Sequence, residues 1–322
     1  MVTFSAPPAK SLNTPRLALR QLNSVWLDEV EAMVNDPETS ELTATTKTFS
    51  RQELEAWLSS RPKRTDRCDW AILHQETGEF LGEVVLNELD AQKATMNLRI
   101  ALAHSGVFGQ GIGTEAIGAV LEYAFDQLEL SKVVLTVLTT NPRAHRCYQK
   151  VGFVDGRQFN EGKHRWQRMS VTKLQLVEAI AKREMTKHLA DPQWVFAYDN
   201  GKRRAGLCNY QTKTISLSRY VVAHYPIDDS VQVIWHEIAH ALCGKDVGHG
   251  KVWLQTAKGL GYRAEKFSGK TIAENTAPWV GTCPAGHQHF RYRKPKNVLS
   301  CGLCGRGYNP ANQISWSRVP TK

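Results

Sequence analysis

The sequence predicts an α/β (α+β) chain of two domains. A mixed sheet with flanking helices comes first, then a smaller α+β unit that ends in a short metal-binding tail. Three observations predict this. At 322 residues the chain is long for one domain. Period-two hydrophobic segments alternate with helical patterns through the first half. The charge also changes midway: residues 1–174 hold 20 basic and 21 acidic side chains, a net of −1, whereas residues 175–322 hold 21 and 10, a net of +11. A basic half of this kind suggests a polyanion partner, above all nucleic acid. A basic surface serving solubility alone is the plainer alternative.

No apolar run reaches transmembrane length, and the start of the chain lacks the basic-then-apolar layout of a signal peptide. No membrane association and a cytoplasmic location are therefore expected. Residues 1–10, with Ser5-Ala6-Pro7-Pro8-Ala9, read as a disordered lead. The seven cysteines are odd in number. Cys283, Cys301 and Cys304 cluster late, while Cys68, Cys147, Cys208 and Cys243 are scattered and read as buried thiols, which is not a disulfide framework.

Residues 14–22 alternate apolar and polar side chains and read as the first strand. Ser24 can cap a helix to about Asn35, with Trp26, Val30 and Met33 on one face. A second helix follows Ser50, with Leu54, Trp57 and Leu58 as its apolar stripe. Residues 69–74, 80–89 and 95–102 read as strands, the first two joined at Gln75-Glu76-Thr77-Gly78. In residues 108–128, Gly109, Gly111 and Gly113 run straight into an amphipathic helix. Glycines let the main chain approach a phosphate, and the amides at the helix start point at the anion. The spacing matches neither G-x-G-x-x-G nor a Gly-Lys-Ser/Thr loop, which excludes a dinucleotide fold and a P-loop nucleotidase. A strand over residues 132–139 follows, then Asn141-Pro142-Arg143-Ala144, Tyr148 and Gly152-Phe153.

Three pieces carry a family resemblance: TPRLALR from Thr14, GQGIGTEA from Gly109, and N-P-R-A-x-x-x-Y-x-x-x-G-F from Asn141. Residues 11–174 resemble the GNAT family of N-acetyltransferases, specifically its RimJ/RimL-like branch. The resemblance implies acetyl-CoA in a cleft between two splayed parallel strands. Its diphosphate would sit on Gly109, Gln110, Gly111, Ile112, Gly113 and Thr114, and its pantetheine arm along Ile100 and Ala101. Asn141 would hydrogen-bond the cofactor, and Tyr148 would act as general acid to the departing thiolate. Read without the resemblance, Asn141 is a helix cap ahead of Pro142 and Tyr148 a core tyrosine. The family usually has Arg or Gln three residues before Gly111, where this chain has Phe108. Glu83 and Glu88 are candidate general bases; the acceptor amine is not readable.

Residues 171–189 read as a helix that opens the second domain, so the boundaries fall at 11–174, 175–276 and 277–322. Strands at 194–198 and 205–210 flank the turn Asn200-Gly201, and another follows at 214–217. Next comes His236-Glu237-Ile238-Ala239-His240. Histidines four apart share a helix face and suit Zn²⁺, which needs a third ligand at a catalytic site. His249, in the Gly248-His249-Gly250 turn, can supply it. Glu237 can act as general base on water. A chance match on an ordinary helix is the bland alternative. The apolar company of Val231, Val233, Ile234, Trp235, Ala239, Ala241 and Leu242 argues against it, because buried polar groups need a partner.

With residues 204–218, WHEIAHA from Trp235, GHGKVW from Gly248 and Leu260-Gly261, residues 176–265 resemble the SprT-like zinc metalloproteases. That group includes Spartan, which cleaves proteins crosslinked to DNA. The resemblance implies His236, His240 and His249 as ligands of a catalytic zinc, Glu237 as the base and Trp253 as packing beneath the site.

Cys301-x-x-Cys304 is half of a zinc ribbon. Cys283 can start the other half, but the position three residues on is Gly286, so His287 completes the set, with His289 as the alternative. A structural zinc supplies the folding energy that so short a segment lacks. Arg291, Arg293, Lys294 and Lys296 interleave with Phe290 and Tyr292, a pattern for phosphate neutralisation and base stacking. A solvated hairpin is the plainer reading.

The two resemblances imply a bifunctional enzyme. An acetyl-CoA-dependent N-acetyltransferase precedes a zinc metalloendopeptidase acting on proteins at DNA, with one catalytic and one structural zinc. The alternative is an acetyltransferase targeted by a catalytically weak, zinc-stabilised nucleic-acid-binding module.

Overall fold

The computed structural model describes residues 9–265 and 267–319. The expected disordered lead falls mostly outside them; within them Ala9 is buried and the Lys10 carbonyl accepts the Trp70 indole N–H at 2.7 Å. The chain divides within one helix into two compact units, up to Ile180 and from Ala181 onward. Among the described residues no helix is long and apolar enough to cross a membrane.

In the first unit the strands are β1 (Leu12–Asn13), β2 (Leu17–Gln21), β3 (Cys68–His74), β4 (Phe80–Asp90), β5 (Thr95–Leu102), β6 (Lys132–Leu138), β7 (Val154–Glu161) and β8 (His164–Val171). They form one sheet in the order β1-β2-β3-β4-β5-β6-β8-β7. Only β5 and β6 run parallel, and their pairing lasts three positions, ending at Asn97 opposite Val134. Beyond that point β5 stays bonded to β4 as far as Leu102, while β6 stays with β8 to Leu138. Each strand follows its outer neighbour, so the two part. The β7–β8 hairpin was not legible in the sequence: β7 is exposed almost throughout, so it carries no apolar alternation.

The helices are α1 (Leu27–Val34), α2 (Pro37–Thr43), α3 (Arg51–Ser60), α4 (Ile112–Asp126), α5 (Pro142–Lys150) and α6 (Lys173–His188). Ser24 does not cap the first helix. It begins a 3₁₀ turn capped by Asn23, whose side chain accepts the Val25 amide. Ser50 caps α3 in a box with Glu53, as its spacing suggests. Val30, Met33, Leu54 and Leu58 pack on the sheet face that carries Ala71. Side chains alternate along a strand, so Trp70 faces the other way, where it meets Tyr123 of α4 edge-on at 5.5 Å.

The second unit takes the end of α6, then β9 (Val195–Asp199), β10 (Gly206–Asn209), β11 (Thr214–Ser218), α7 (Arg219–His224), α8 (Ile227–Cys243), α9 (Lys251–Leu260) and α10 (Gly269–Thr276). The hairpin suggested by the Asn200-Gly201 turn does not form. β11, buried at four of its five positions, takes the centre, antiparallel to β10 and parallel to β9. Asp199 turns the chain aside by accepting from the Gly201 amide at 2.6 Å, Arg204 at 2.8 Å and Ser216 at 2.7 Å. In α8, Val233, Ile234 and Ala239 are buried as expected, but Leu242 is exposed. A last sheet, β12 (Trp279–Thr282), β13 (Gln288–Arg291) and β14 (Ser315–Arg318), has the order β13-β12-β14. All seven cysteines are free. Of the four scattered ones only Cys68 is fully buried; Cys147, Cys208 and Cys243 are half-buried.

Candidate active sites and metal centres

Where β5 and β6 part, a cleft of about 710 Å³ opens. Ile100, Ala101, Gly109, Gly111, Ile112, Gly113, Thr114, Asn141 and Tyr148 all line it. Gln110 does not. Its side-chain amide donates to the Gly106 carbonyl at 2.7 Å, and its own carbonyl accepts from Arg16 at 2.9 Å. Gly111 is the N-cap of α4 with φ +81°, a conformation that costs other residues strain. It delivers the loop to the helix start, whose first amides lack intrahelical acceptors. The loop is held from a distance: Glu115, in the first turn of α4, accepts from Thr14 Oγ1 at 2.6 Å, from the Arg16 amide at 3.0 Å and from Arg16 Nε at 2.7 Å. Burial opposes its ionisation, but Thr14 and Arg16 hold its carboxyl below the ordinary value.

Asn141 Oδ1 accepts the Ala144 amide at 3.0 Å, so its helix-cap role is realised in a side chain that also lines the cleft. Tyr148 is buried edge-on to Phe153 at 5.8 Å, and burial pushes its phenol well above the ordinary range, so it stays protonated. Glu83 lies opposite Ala101 across β4 and β5. Its Oε2 is buried without a hydrogen-bond partner, and burial pushes its carboxyl up. Glu88 sits at the β-bulge of that pair with φ +54° and is exposed. Both carboxyls line the cleft, as do Arg99, Arg143, Arg146, Lys150 and Arg168.

The Nε2 atoms of His236 and His240 on α8, and of His249 in the turn after it, form a triangle with edges of 3.0–3.1 Å. An ion about 2.0–2.1 Å from each nitrogen fits above its centre. Burial, with His236 and His249 close by, brings His240 down to about 4, so its ring is neutral and able to donate a lone pair. Trp253 is buried against all three rings, with centroids 4.6, 5.4 and 4.7 Å away. Glu237 is buried beside them, and burial pushes its carboxyl up to about 7. Gly206 makes its room: a Cβ there would stand 2.7 Å from Glu237 Oε1. Tyr210 donates to the His240 carbonyl at 2.9 Å.

In the tail, Cys283, His287, Cys301 and Cys304 bring their ligand atoms within 4.8 Å of one another. His287 Nδ1 lies 3.2 Å from Cys304 Sγ and 3.5 Å from Cys283 Sγ. His289 is the outer residue, its Nε2 3.2 Å from Cys301 Sγ. Gly286 takes φ +82° and closes the turn from Cys283 onto His287. Beside this cluster runs an open groove of about 1760 Å³, bordered by Lys202, Arg203, Lys270, Arg291 and Arg293, with Phe290 and Tyr292 in its wall. Tyr292 is not free to swing: its hydroxyl meets Thr276 at 2.9 Å and Lys202 stands over its ring at 4.8 Å.

Residues 16–154 match the family model of the acetyltransferase (GNAT) domain, and residues 174–273 match that of the SprT-like family. The chain joins a GNAT domain to a SprT-like domain. A kanamycin resistance protein of Rhizobium radiobacter is 38% identical over 53 residues, 16% of this chain and 49% of that protein. The chain thus spans about half the length of that relative. The uncharacterized N-acetyltransferase YoaA of Bacillus subtilis is 27% identical over 150 residues, 44% of this chain and 81% of its own. Among solved structures, spermidine N-acetyltransferase of Vibrio cholerae, in complex with CoA and spermine, is 21% identical with a TM-score of 0.47, covering 51% of this chain and 99% of that one.

In the GNAT domain the departure at Phe108 has a local answer. The Arg143 guanidinium stacks on the Phe108 ring at 3.8 Å and brings a cation to the glycine loop. Nothing in the spacing of the two residues pointed to this. In the SprT-like domain the residue missed by sequence is Glu265. Its Oε1 lies 2.5 Å from Nδ1 of His236, yet it belongs to no recognisable motif.

Proposed function

We propose that the chain is a bifunctional enzyme: an acetyl-CoA-dependent N-acetyltransferase joined to a zinc-dependent peptidase that acts on proteins at nucleic acid. The first activity is carried by one observation, the cleft that opens between β5 and β6 with the glycine loop at one wall and a buried tyrosine at another. Acetyl-CoA, when bound, supplies the thioester whose acetyl group passes to an amine. The amides at the start of α4 hold its phosphates, and Arg143 and Arg146 add charge at the cleft wall. Ile100 and Ala101 offer main chain to its pantetheine arm. Tyr148, protonated at neutral pH, gives its proton to the leaving sulfur, and Glu83, with a buried unpartnered oxygen, takes one from the amine. A transfer assay across amine pools tests this; no transfer to any amine would leave a CoA-binding domain without turnover.

The peptidase is carried by the convergence of three imidazole nitrogens beside a buried glutamate. Zinc, when bound there, supplies Lewis-acid polarisation of a peptide carbonyl and acidifies water. Glu237 serves as the proton acceptor, and Trp253 holds the rings in place. The basic groove beside the ribbon supports nucleic acid as the setting: its cations suit phosphates, and Phe290 suits an unstacked base. A cytoplasmic location belongs to the same proposal. DNA binding that is absent, or indifferent to salt, would remove the nucleic-acid link. Equal DNA-stimulated proteolysis by wild type and Glu237→Gln would remove the peptidase and leave the targeting-module alternative.

A further inference from the structure

We infer that Glu265 is a positioning residue for the three-histidine centre. It holds the His236 ring with Nε2 turned to the other two imidazoles, and so strengthens metal binding. The inference rests on the metal-centre reading above. Glu265 Oε1 lies 2.5 Å from His236 Nδ1. Both atoms are buried and neither has a hydrogen-bond partner among the described residues, so this close N···O approach is the polar contact each is left with. An imidazole that offers Nε2 to a metal carries its proton on Nδ1, and a carboxylate there settles the tautomer, fixes the ring and makes the ligand nitrogen more basic.

The chain is built to deliver this carboxylate. α9 stops at Gly261 with φ +105°, and a Cβ there would stand 3.1 Å from the Trp235 ring. The Tyr262 amide then reaches back to the Ala257 carbonyl at 3.0 Å, and the chain returns along α8. Arg263 bonds Asp228 at 2.6 Å, its own amide donates to the buried Gln232 Oε1 at 2.7 Å, and Glu265 meets His236. Positions 228, 232 and 236 are successive turns of one helix face. The first two fastenings lie away from the histidines, so the return segment has its own anchorage. Glu265 is the member that spends its contact on a ligand.

The test uses the full-length protein loaded with zinc, as wild type, Glu265→Gln, Glu265→Asp and Glu265→Ala. Zinc affinity is measured by competition with a chromophoric chelator, with the ribbon ion as internal reference. Cobalt substitution tells the centres apart, because only the thiolate site gives intense sulfur-to-metal charge-transfer absorption. The histidine centre of Glu265→Ala is expected to bind about 10- to 100-fold more weakly. Glu265→Gln should lie between it and wild type, Glu265→Asp should recover part of the loss, and the ribbon should be unchanged. The metal-free proteins should melt alike, which separates positioning from a general structural role; if Glu265→Ala fails to fold, Glu265→Gln carries the comparison. Wild-type affinity in Glu265→Ala and Glu265→Gln overturns the inference alone. A wild type that binds zinc only at the ribbon overturns the metal-centre reading and this inference with it.

Discussion

The cleft of the GNAT domain and the histidine centre of the SprT-like domain are made of different material. The glycine-loop end of the cleft is framed by main chain: two strands that separate after Asn97, a glycine loop with φ +81° at Gly111, and the first amides of α4. Side chains enter at its edges, as Tyr148, Glu83 and the Arg143–Phe108 stack. The histidine centre is nearly all side chain, three imidazoles and a glutamate on one helix and the turn after it. A main-chain site tolerates changes in the residues around it, because amides belong to every residue. A side-chain site fails when one ligand is changed. The two domains should therefore respond differently to single substitutions.

Glu237→Gln sets one end of that contrast. It should cut peptide hydrolysis by about 10²–10⁴-fold, the usual worth of a general base, with both zinc ions retained and acetyl transfer unaltered. DNA-stimulated proteolysis beside metal analysis checks it. Tyr148→Phe should lower acetyl transfer by about 10²-fold while leaving KM for acetyl-CoA and the peptidase near wild type, because it removes a proton and not a binding surface. Steady-state kinetics in both assays would expose a merely structural tyrosine, which would raise KM and lower the melting temperature together.

Glu83→Gln sharpens the same point through pH. Burial raises the Glu83 carboxyl above its usual 4.5, so the base is protonated and idle on the acid side and gains activity as pH rises through the raised value. Wild-type kcat/KM should climb along that limb. The variant should lose the limb and about tenfold in rate, below the range typical of a fully committed base. An unchanged profile would assign the proton to a water relay. The smallest effect is expected at Gly111→Ala. A left-handed backbone costs an L-residue about 1–2 kcal/mol, and the new Cβ would meet Arg16 Nη2 at 3.3 Å. About 1 kcal/mol of lost stability and a several-fold weaker acetyl-CoA interaction should follow, read from thermal melts and KM. A loss as large as that of Glu237→Gln would break the comparison.

How far each site was legible follows from the same difference. His236, Glu237, His240 and His249 could be read because a helix converts a spacing of four into a shared face, and a glycine turn returns the third histidine to it. The ribbon residues Cys283, His287, Cys301 and Cys304 were legible for a similar local reason. His287 was preferred to His289 there, and it is the His287 ring that the Gly286 turn brings to the three cysteines. In the GNAT domain the glycine loop and Tyr148 were visible, and nearly all the residues named for the cleft line it. Gln110 departs, since Arg16 and Gly106 hold it elsewhere. The β9–β10 hairpin suggested by Asn200-Gly201 failed because a turn signal is local, whereas the central place in a sheet goes to the strand with most to bury, here β11.

The sequence by itself determined the two-domain order, the two His and Cys/His clusters, the glycine-rich start of α4 and the basic second half, since each is written in spacing or composition within a few turns of chain. Only the tertiary structure decided the rest. Thr14 and Arg16 brace a loop about a hundred residues away through Glu115. Arg143 answers Phe108. Glu83 is left with a buried oxygen facing the cleft, and Glu265 reaches His236. These pairings join residues that share no local period. They arise when β5 and β6 follow different neighbours and when the chain after α9 turns back along α8, geometry set by burial and hydrogen bonding across the whole unit.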